Sequence, residues 1–454
     1  MLAAALLGLI YNAVILLGYG PDEGRHMNYV RLLLDEQRLP AILSREPYAE
    51  YRDAHAFHPP LYYLILLPFY ALLRGLPGEI EWHVVRFITL LICLAALPLI
   101  YQIAQRASGG NVGENKVTAR LVVAQIALLP MFGMTSSIIN NDSATLLAVT
   151  VFLWLLVVKY PDDRSLKSAL ILGIVWGLGT LIKGTALLCD GVALILYLLA
   201  QDGWAALRSP RSWSRLATAV LPLLAIAGWW HLRSWNLYGE WTPLPPAMPP
   251  PLPSRDNGLL IVLLHPNFLP LFGLANFGIF NPAGAPTMNL SGINLTVPVG
   301  IWATLWAQLD WIPKALRLPL FSGLFAYCAG AAMGLVRRRM QRGAPPPTGS
   351  TPATSTAATA TRIALWTSYG TFFVNWLTIL QVAIFWHWGW AEGGRYLLPA
   401  FIGFSIFLAR GWRGLIGIKR MPAMTVAWSI FCVALNAVAV YWLLSYLNPT
   451  FGPK

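Results

Sequence analysis

The sequence predicts an all-α polytopic membrane protein, with about eleven transmembrane helices and interfacial helices in the first outer loop. Three observations carry this. Of 454 residues, 57% are apolar and 11% charged, with a mean hydropathy of +0.58. A soluble domain carries about 25% charged residues, and only lipid can take up so much apolar surface. The apolar segments follow one another at roughly 20 residues each, the length that crosses about 30 Å of hydrocarbon. Finally, 18 of the 32 Lys and Arg residues fall in the short loops 101–120, 159–168, 203–215, 337–362 and 410–420. Basic short loops mark the cytoplasmic side.

The same distribution explains the net charge of +13. It is a topology signal with some affinity for anionic lipid headgroups, and no nucleic-acid partner is expected. Cys93, Cys189, Cys328 and Cys432 stand singly in apolar segments, without ligand or disulfide spacing. They read as small buried hydrophobes.

Taken in order, residues 1–19 are apolar, with no basic flank and no cleavage site, and read as an uncleaved first span. The missing flank leaves a start further upstream open. Further spans are expected at 83–107, 118–138, 143–160, 166–183, 185–201, 215–237, 316–336, 363–386, 396–411 and 422–446. With the N-terminus inside, every basic loop lands in the cytoplasm. The stretch 60–73 is too short to span and is interrupted by Pro68, so it reads as an interfacial or re-entrant helix. Two long outer segments result, 20–82 and 239–315. The first holds nine of the 19 carboxylates. Within it, Met27, Val30, Leu33 and Leu34 recur at helical spacing, as on a helix lying along the membrane surface. The second opens on a proline-dense run and suits a lid or cavity wall. Residues 337–362 read as a disordered cytoplasmic linker by composition. It separates a core of residues 1–336 from C-terminal spans in 363–454.

Five short motifs carry candidate chemistry, all on the outer face of this topology. In PDEGRH, Asp22 and Glu23 open a helix whose dipole favours their ionised forms, with His26 one turn on. A carboxylate there suits a general base, and plain helix capping suits it equally well. In HPPL, two prolines fix the backbone after His58, which either meets an anionic headgroup or is an interfacial polar residue. In NND, Asn140, Asn141 and Asp142 are favoured capping types and bring a second acid to the same face. Lys183, in LIKGTALL, either snorkels or binds phosphate, with Asp190 as a structural partner. In WHWGWAEGGRYLLP, Arg395 offers a planar fork for phosphate, or forms an ion pair with Glu392.

The order of these motifs resembles the GT-C membrane glycosyltransferases. Within that fold it is similar to bacterial relatives of protein O-mannosyltransferase and lipid A aminoarabinose transferase. The carriers are the apolar first span with PDE, HPPLYYL, the Asp ending the third span, LIKGTALL and GRYLLPA. The resemblance implies a transferase in the plasma membrane working outside it, with a polyprenyl-phosphate-linked sugar as donor and an acceptor that the sequence does not specify. It implies Asp22 and Glu23 at the acceptor, Asp142 as the second outer acid, and Lys183 and Arg395 near the donor phosphate. Relatives carry a basic residue where His58 stands. His26, Glu392 and Asn141 would support the site. A divalent metal would fit if Asp22 and Asp142 converge, and relatives differ in using one. Transfer would invert the anomeric centre.

A transporter or flippase is the main alternative. It would place its charges at mid-membrane and show inverted repeats, whereas the carboxylates here cluster outside and no repeat is evident. A non-catalytic membrane subunit that kept the fold is a third reading.

Overall fold

The computed structural model of the protein describes residues 1–18, 20, 22–41, 55–241, 314–342, 355–385 and 394–446, and these are helical without a strand. The helices are α1 (Leu2–Val14), α2 (Glu23–Asp35), α3 (Leu61–Leu73), α4 (Gly78–Ser108), α5 (Val112–Ala127), α6 (Pro130–Ser137) and α7 (Asn141–Trp154). They continue with α8 (Leu166–Ile182), α9 (Gly184–Asp202), α10 (Pro210–Tyr238), α11 (Lys314–Arg342), α12 (Ser355–Phe385), α13 (Phe401–Ile416) and α14 (Met421–Tyr446).

Among the described residues, five helices are long and apolar enough to cross a membrane, or six if α5 and α6 form one span. The chain is therefore an all-α membrane protein, while the expected number of about eleven spans is not reached by these criteria. One of the differences has a plain cause. The span expected at 118–138 is broken, with α5 and α6 meeting at a 60° bend. Pro130 sits at the first position of α6 and cannot continue the hydrogen bonding of α5, so the helix must restart there. Helix α1 stops at Val14, short of the expected Tyr19. Helix α3, at 13 residues with Pro68 inside it, is about 20 Å long, shorter than about 30 Å of hydrocarbon.

Helix also occupies both flanks of the expected 337–362 linker, because α11 runs on through Arg342 and α12 begins at Ser355. Residues 343–354 of that linker and 242–313 of the second outer segment lie outside the described residues.

One apolar core runs from Ala4 in α1 to Leu443 in α14, so the C-terminal helices share it with the N-terminal ones. Small residues allow the tightest crossing. A Cβ on Gly334 would enter the Gly411 backbone, and one on Gly411 would enter that of Ala331, so α11 and α13 touch main chain to main chain. A second, smaller core joins Met27, Tyr29 and Val30 of α2 to Tyr62, Tyr63 and Leu66 of α3, with Val85, Ile139 and Ile182 beneath. This core fixes the interfacial layer on the ends of α4, α7 and α8. The four cysteines are free, and Cys93, Cys189 and Cys432 are buried, as expected of small hydrophobes.

Candidate active site

The site is built where α1 ends and α2 begins, and one arginine organises it. Arg86, inside α4, is fully buried and uses all five of its donors. Nε and Nη2 grip the two oxygens of Glu23 at 2.7 Å each. Nη1 donates to the carbonyls of Asn12 at 3.0 Å and Ile15 at 2.7 Å, and Nη2 to that of Leu16 at 3.0 Å. Those carbonyls are the unpaired end of α1 and the chain beyond it. Glu23 also accepts from the N–H of Ile139 at 3.0 Å, Gly18 at 3.2 Å and Gly20 at 3.3 Å. The pair therefore ties α1, α2, α4 and the segment before α7 into one joint.

Glu23 was expected as a catalytic acid beside Asp22. Its carboxylate is instead fully enclosed, with 0% of the side chain exposed. Asp22 differs sharply. Its side chain is 25% exposed and pairs with Arg25 at 3.5 Å. Its backbone has φ +60°, the left-handed region that Asp and Asn tolerate better than other non-glycine residues. The joint behind it holds Asp22 in that conformation.

Next to Asp22 lie three imidazoles. His26 and His55 are buried and His58 is partly exposed, and ligand atoms of all three fall within 4.8 Å of one another. Ring centroids lie 4.5 Å apart for His26 and His55, 5.6 Å for His26 and His58, and 4.8 Å for His55 and His58. The His26 Nδ1 pairs with the Tyr63 hydroxyl at 2.8 Å, and the Tyr29 hydroxyl donates to the His58 carbonyl at 3.2 Å. Tyr29 and Tyr63 stack at 3.7 Å between centroids. Burial pushes His58 well below the usual imidazole range. The charges of His55, His26 and Lys183 act in the same sense, and Asp22 opposes them.

Asp142 and Lys183 form the third part. Asn140 caps α7, its Oδ1 accepting from the N–H of Asp142 at 2.9 Å and Ser143 at 3.2 Å. Asp142 is thereby freed from capping, and its Oδ1 accepts from the Lys183 ammonium. Lys183 sits in extended backbone between α8 and α9. Its Nζ also lies 5.0 Å from the centre of the Tyr396 ring. The expected partnership of Lys183 with Asp190 is not formed, and both Asp190 oxygens are buried without a hydrogen-bond partner. Asn141 opens α7 with its Nδ2 buried and unpaired.

The structure thus brings Asp22, His26, His58, Asp142 and Lys183 to one end of the helices. Glu392 and the side chain of Arg395 lie outside the described residues, although the adjacent Tyr396 stands against Lys183. Neither Asp22 nor Asp142 belongs to a three-ligand metal group among the described residues; the group found is the three histidines. Sequence reasoning missed Arg86 and His55. Arg86 did carry a signal, as an arginine that precedes a long uncharged apolar run within its span. His55 carried none beyond its proximity to His58.

Fold and site together define a polytopic α-helical membrane protein with an acid, three imidazoles and a buried acid–lysine pair at one end. Residues 57–230 match the family model of dolichyl-phosphate-mannose-protein mannosyltransferase. The match includes HPPL, Arg86, Asp142 and Lys183, and it bears out the resemblance to GT-C membrane glycosyltransferases. Among solved structures, ArnT from Cupriavidus metallidurans bound to undecaprenyl phosphate is 17% identical, with 92% of this chain and 76% of that chain covered and a TM-score of 0.41. The oligosaccharyltransferase of Archaeoglobus fulgidus in complex with Zn and sulfate is 15% identical, with 97% and 52% covered and a TM-score of 0.48. The chain therefore spans about half the length of that oligosaccharyltransferase. No curated protein matches the chain.

Proposed function

We propose that the chain is a glycosyltransferase that moves a sugar from a polyprenyl-phosphate carrier to an acceptor hydroxyl at the non-cytoplasmic face. The observation that carries this reading is the division of labour among the carboxylates. Glu23 and Asp142 are buried against Arg86 and Lys183, whereas Asp22, paired with Arg25 at the rim, keeps a partly exposed carboxylate. The matched family model names a dolichyl-phosphate sugar as donor, which supports the carrier class.

Asp22 takes the proton of the acceptor hydroxyl as its oxygen bonds to the anomeric carbon. The bond from that carbon to the phosphate oxygen breaks on the opposite face, and the electron pair leaves with the polyprenyl phosphate. The product is inverted, and the proton ends on Asp22. The leaving group is already an anion, so cations serve it better than an acid. Lys183 and Arg395 supply that charge, and Asp142 aims the Lys183 ammonium. Glu23 is a positioning residue, acting through Arg86 on the segment that carries Asp22.

Transfer from a radiolabelled polyprenyl-phosphate sugar, dolichyl-phosphate mannose first, to host membrane acceptors tests this in nanodiscs. Asp22→Asn preserves size and the tolerance for left-handed backbone, and should slow transfer by about 10²–10⁴-fold with folding intact. Near-normal transfer by the folded variant would remove Asp22 as the base.

A further inference from the structure

We propose that His26, His55 and His58 form a three-imidazole site for a divalent transition metal, zinc above all, with its open fourth position towards Asp22. Three of the seven histidines in the chain converge here from two separate stretches. Zinc held at about 2.0–2.1 Å by three imidazoles requires ligand atoms about 3.3 Å apart. The spread here is no more than 4.8 Å, a gap that small ring rotations close.

The surroundings are those of a ligand set rather than of aromatic filler. A metal-binding imidazole has its other nitrogen fixed by a hydrogen-bonding neighbour. His26 meets this condition, since its Nδ1 pairs with the Tyr63 hydroxyl at 2.8 Å, which fixes the ring. Tyr63 is itself clamped by the stacked Tyr29, whose hydroxyl holds the His58 carbonyl. Pro59 and Pro60 then restrict the backbone that follows. Two tyrosines thus fix two of the three ligands. The ligand types select the ion, because imidazoles suit zinc and its transition-metal neighbours, whereas magnesium and calcium prefer oxygen.

Three protein ligands leave a fourth position, the arrangement of reactive rather than structural zinc sites. At that position a bound ion would meet an anionic oxygen or a water beside Asp22. Lys183 already shares its charge with Asp142 nearby, so the ion would add to the positive charge of Lys183 at this end of the molecule. That consequence rests on the transferase reading; the metal site itself does not.

The test uses full-length protein purified through a histidine-free tag, stripped with EDTA and exchanged into nanodiscs. Zinc content is measured after equilibration, and Co²⁺ is titrated while its visible absorption is followed. One zinc per chain is expected, with the absorption of a four-coordinate imidazole site. His55→Ala and His58→Ala should abolish both signals, and His83→Ala, outside the cluster, should leave them unchanged. Tyr63→Phe removes only the outer hydrogen bond and should weaken binding by about 10–100-fold. It keeps the test decisive if the histidine variants fold poorly. No bound zinc in the wild type, or the same content and spectrum in the histidine and Tyr63→Phe variants, would overturn the site. Asp22→Asn should still bind zinc while losing transfer, so failure of the metal site and failure of the transferase reading are distinguishable.

Discussion

Arg86 places five donors on one carboxylate and three helix-end carbonyls, and no other side chain has that geometry. Lysine would keep the charge but has three donors and no fork. Arg86→Lys should therefore lower the Tm of the detergent-solubilised protein. Arg86→Gln should lower it further, because an unpaired buried Glu23 costs about 3–5 kcal/mol. An unchanged Tm in both would show that the joint contributes nothing. Asp142 and Lys183 obey the same rule. Asp142→Asn alone leaves a buried ammonium and should destabilise, whereas Asp142→Asn combined with Lys183→Met should recover much of the loss. Thermal unfolding of the singles and the double closes that cycle, and a double variant as unstable as the two losses added would refute the coupling. These residues also mark what the sequence could reveal. Asp22, Asp142 and Lys183 were legible because polar residues at span ends are few. The different fates of Asp22 and Glu23 were not, because adjacent acids at a helix start look alike until Arg86 selects one from sixty-three positions away. His55 joined His58 only through the fold of the loop onto α2.

Helices were legible where hydropathy alone decides, and less so where packing does. The start of α7 at NND, the gap at Lys183 and the short α3 all follow from capping, polarity and proline chemistry. The bend between α5 and α6 was missed because the hydropathy runs straight through Pro130. The crossing of α11 and α13 was hidden for a different reason. Glycines in an apolar helix are common, and only the partner backbone shows which ones are needed. A Cβ on Gly411 would overlap the Ala331 main chain, while one on Gly184 would meet nothing. Gly411→Ala should thus cost about 1–3 kcal/mol through overpacking, and Gly184→Ala should be neutral. A thermal-shift comparison decides it, and equal stability of the two variants would mean that the crossing relaxes freely.

At the scale of the whole molecule, the charged loops and the candidate site occupy opposite ends. Helix α4 runs from one to the other, with Arg86 near its start and Arg106 near its finish. At the finish, Arg410 reaches the Ala107 carbonyl, Arg413 pairs with Glu114, Thr361 donates to the Arg106 carbonyl at 3.2 Å, and Arg337 donates to that of Leu415 at 3.1 Å. Arg215 joins Gln201 at 2.8 Å and the Asp163 carbonyl at 3.1 Å. A cavity at the finish of α4 is lined by Arg106, Val158, Arg362 and Arg410. Loops read separately as cytoplasmic thus gather at one pole, as a single orientation in the bilayer requires. That pole should face the cytoplasm and the Asp22 pole the outside, where a lipid-linked sugar would be used. Cysteines placed at the exposed Glu79 and Asp162 test the two poles in turn. A membrane-impermeant maleimide added to intact cells should label Glu79→Cys and not Asp162→Cys, and permeabilisation should make both reactive. Three of the four native cysteines are buried, and a Cys328→Ser background removes the partly exposed fourth. Labelling of Asp162→Cys alone in intact cells would invert the protein, putting the proposed chemistry on the cytoplasmic side and the basic loops outside.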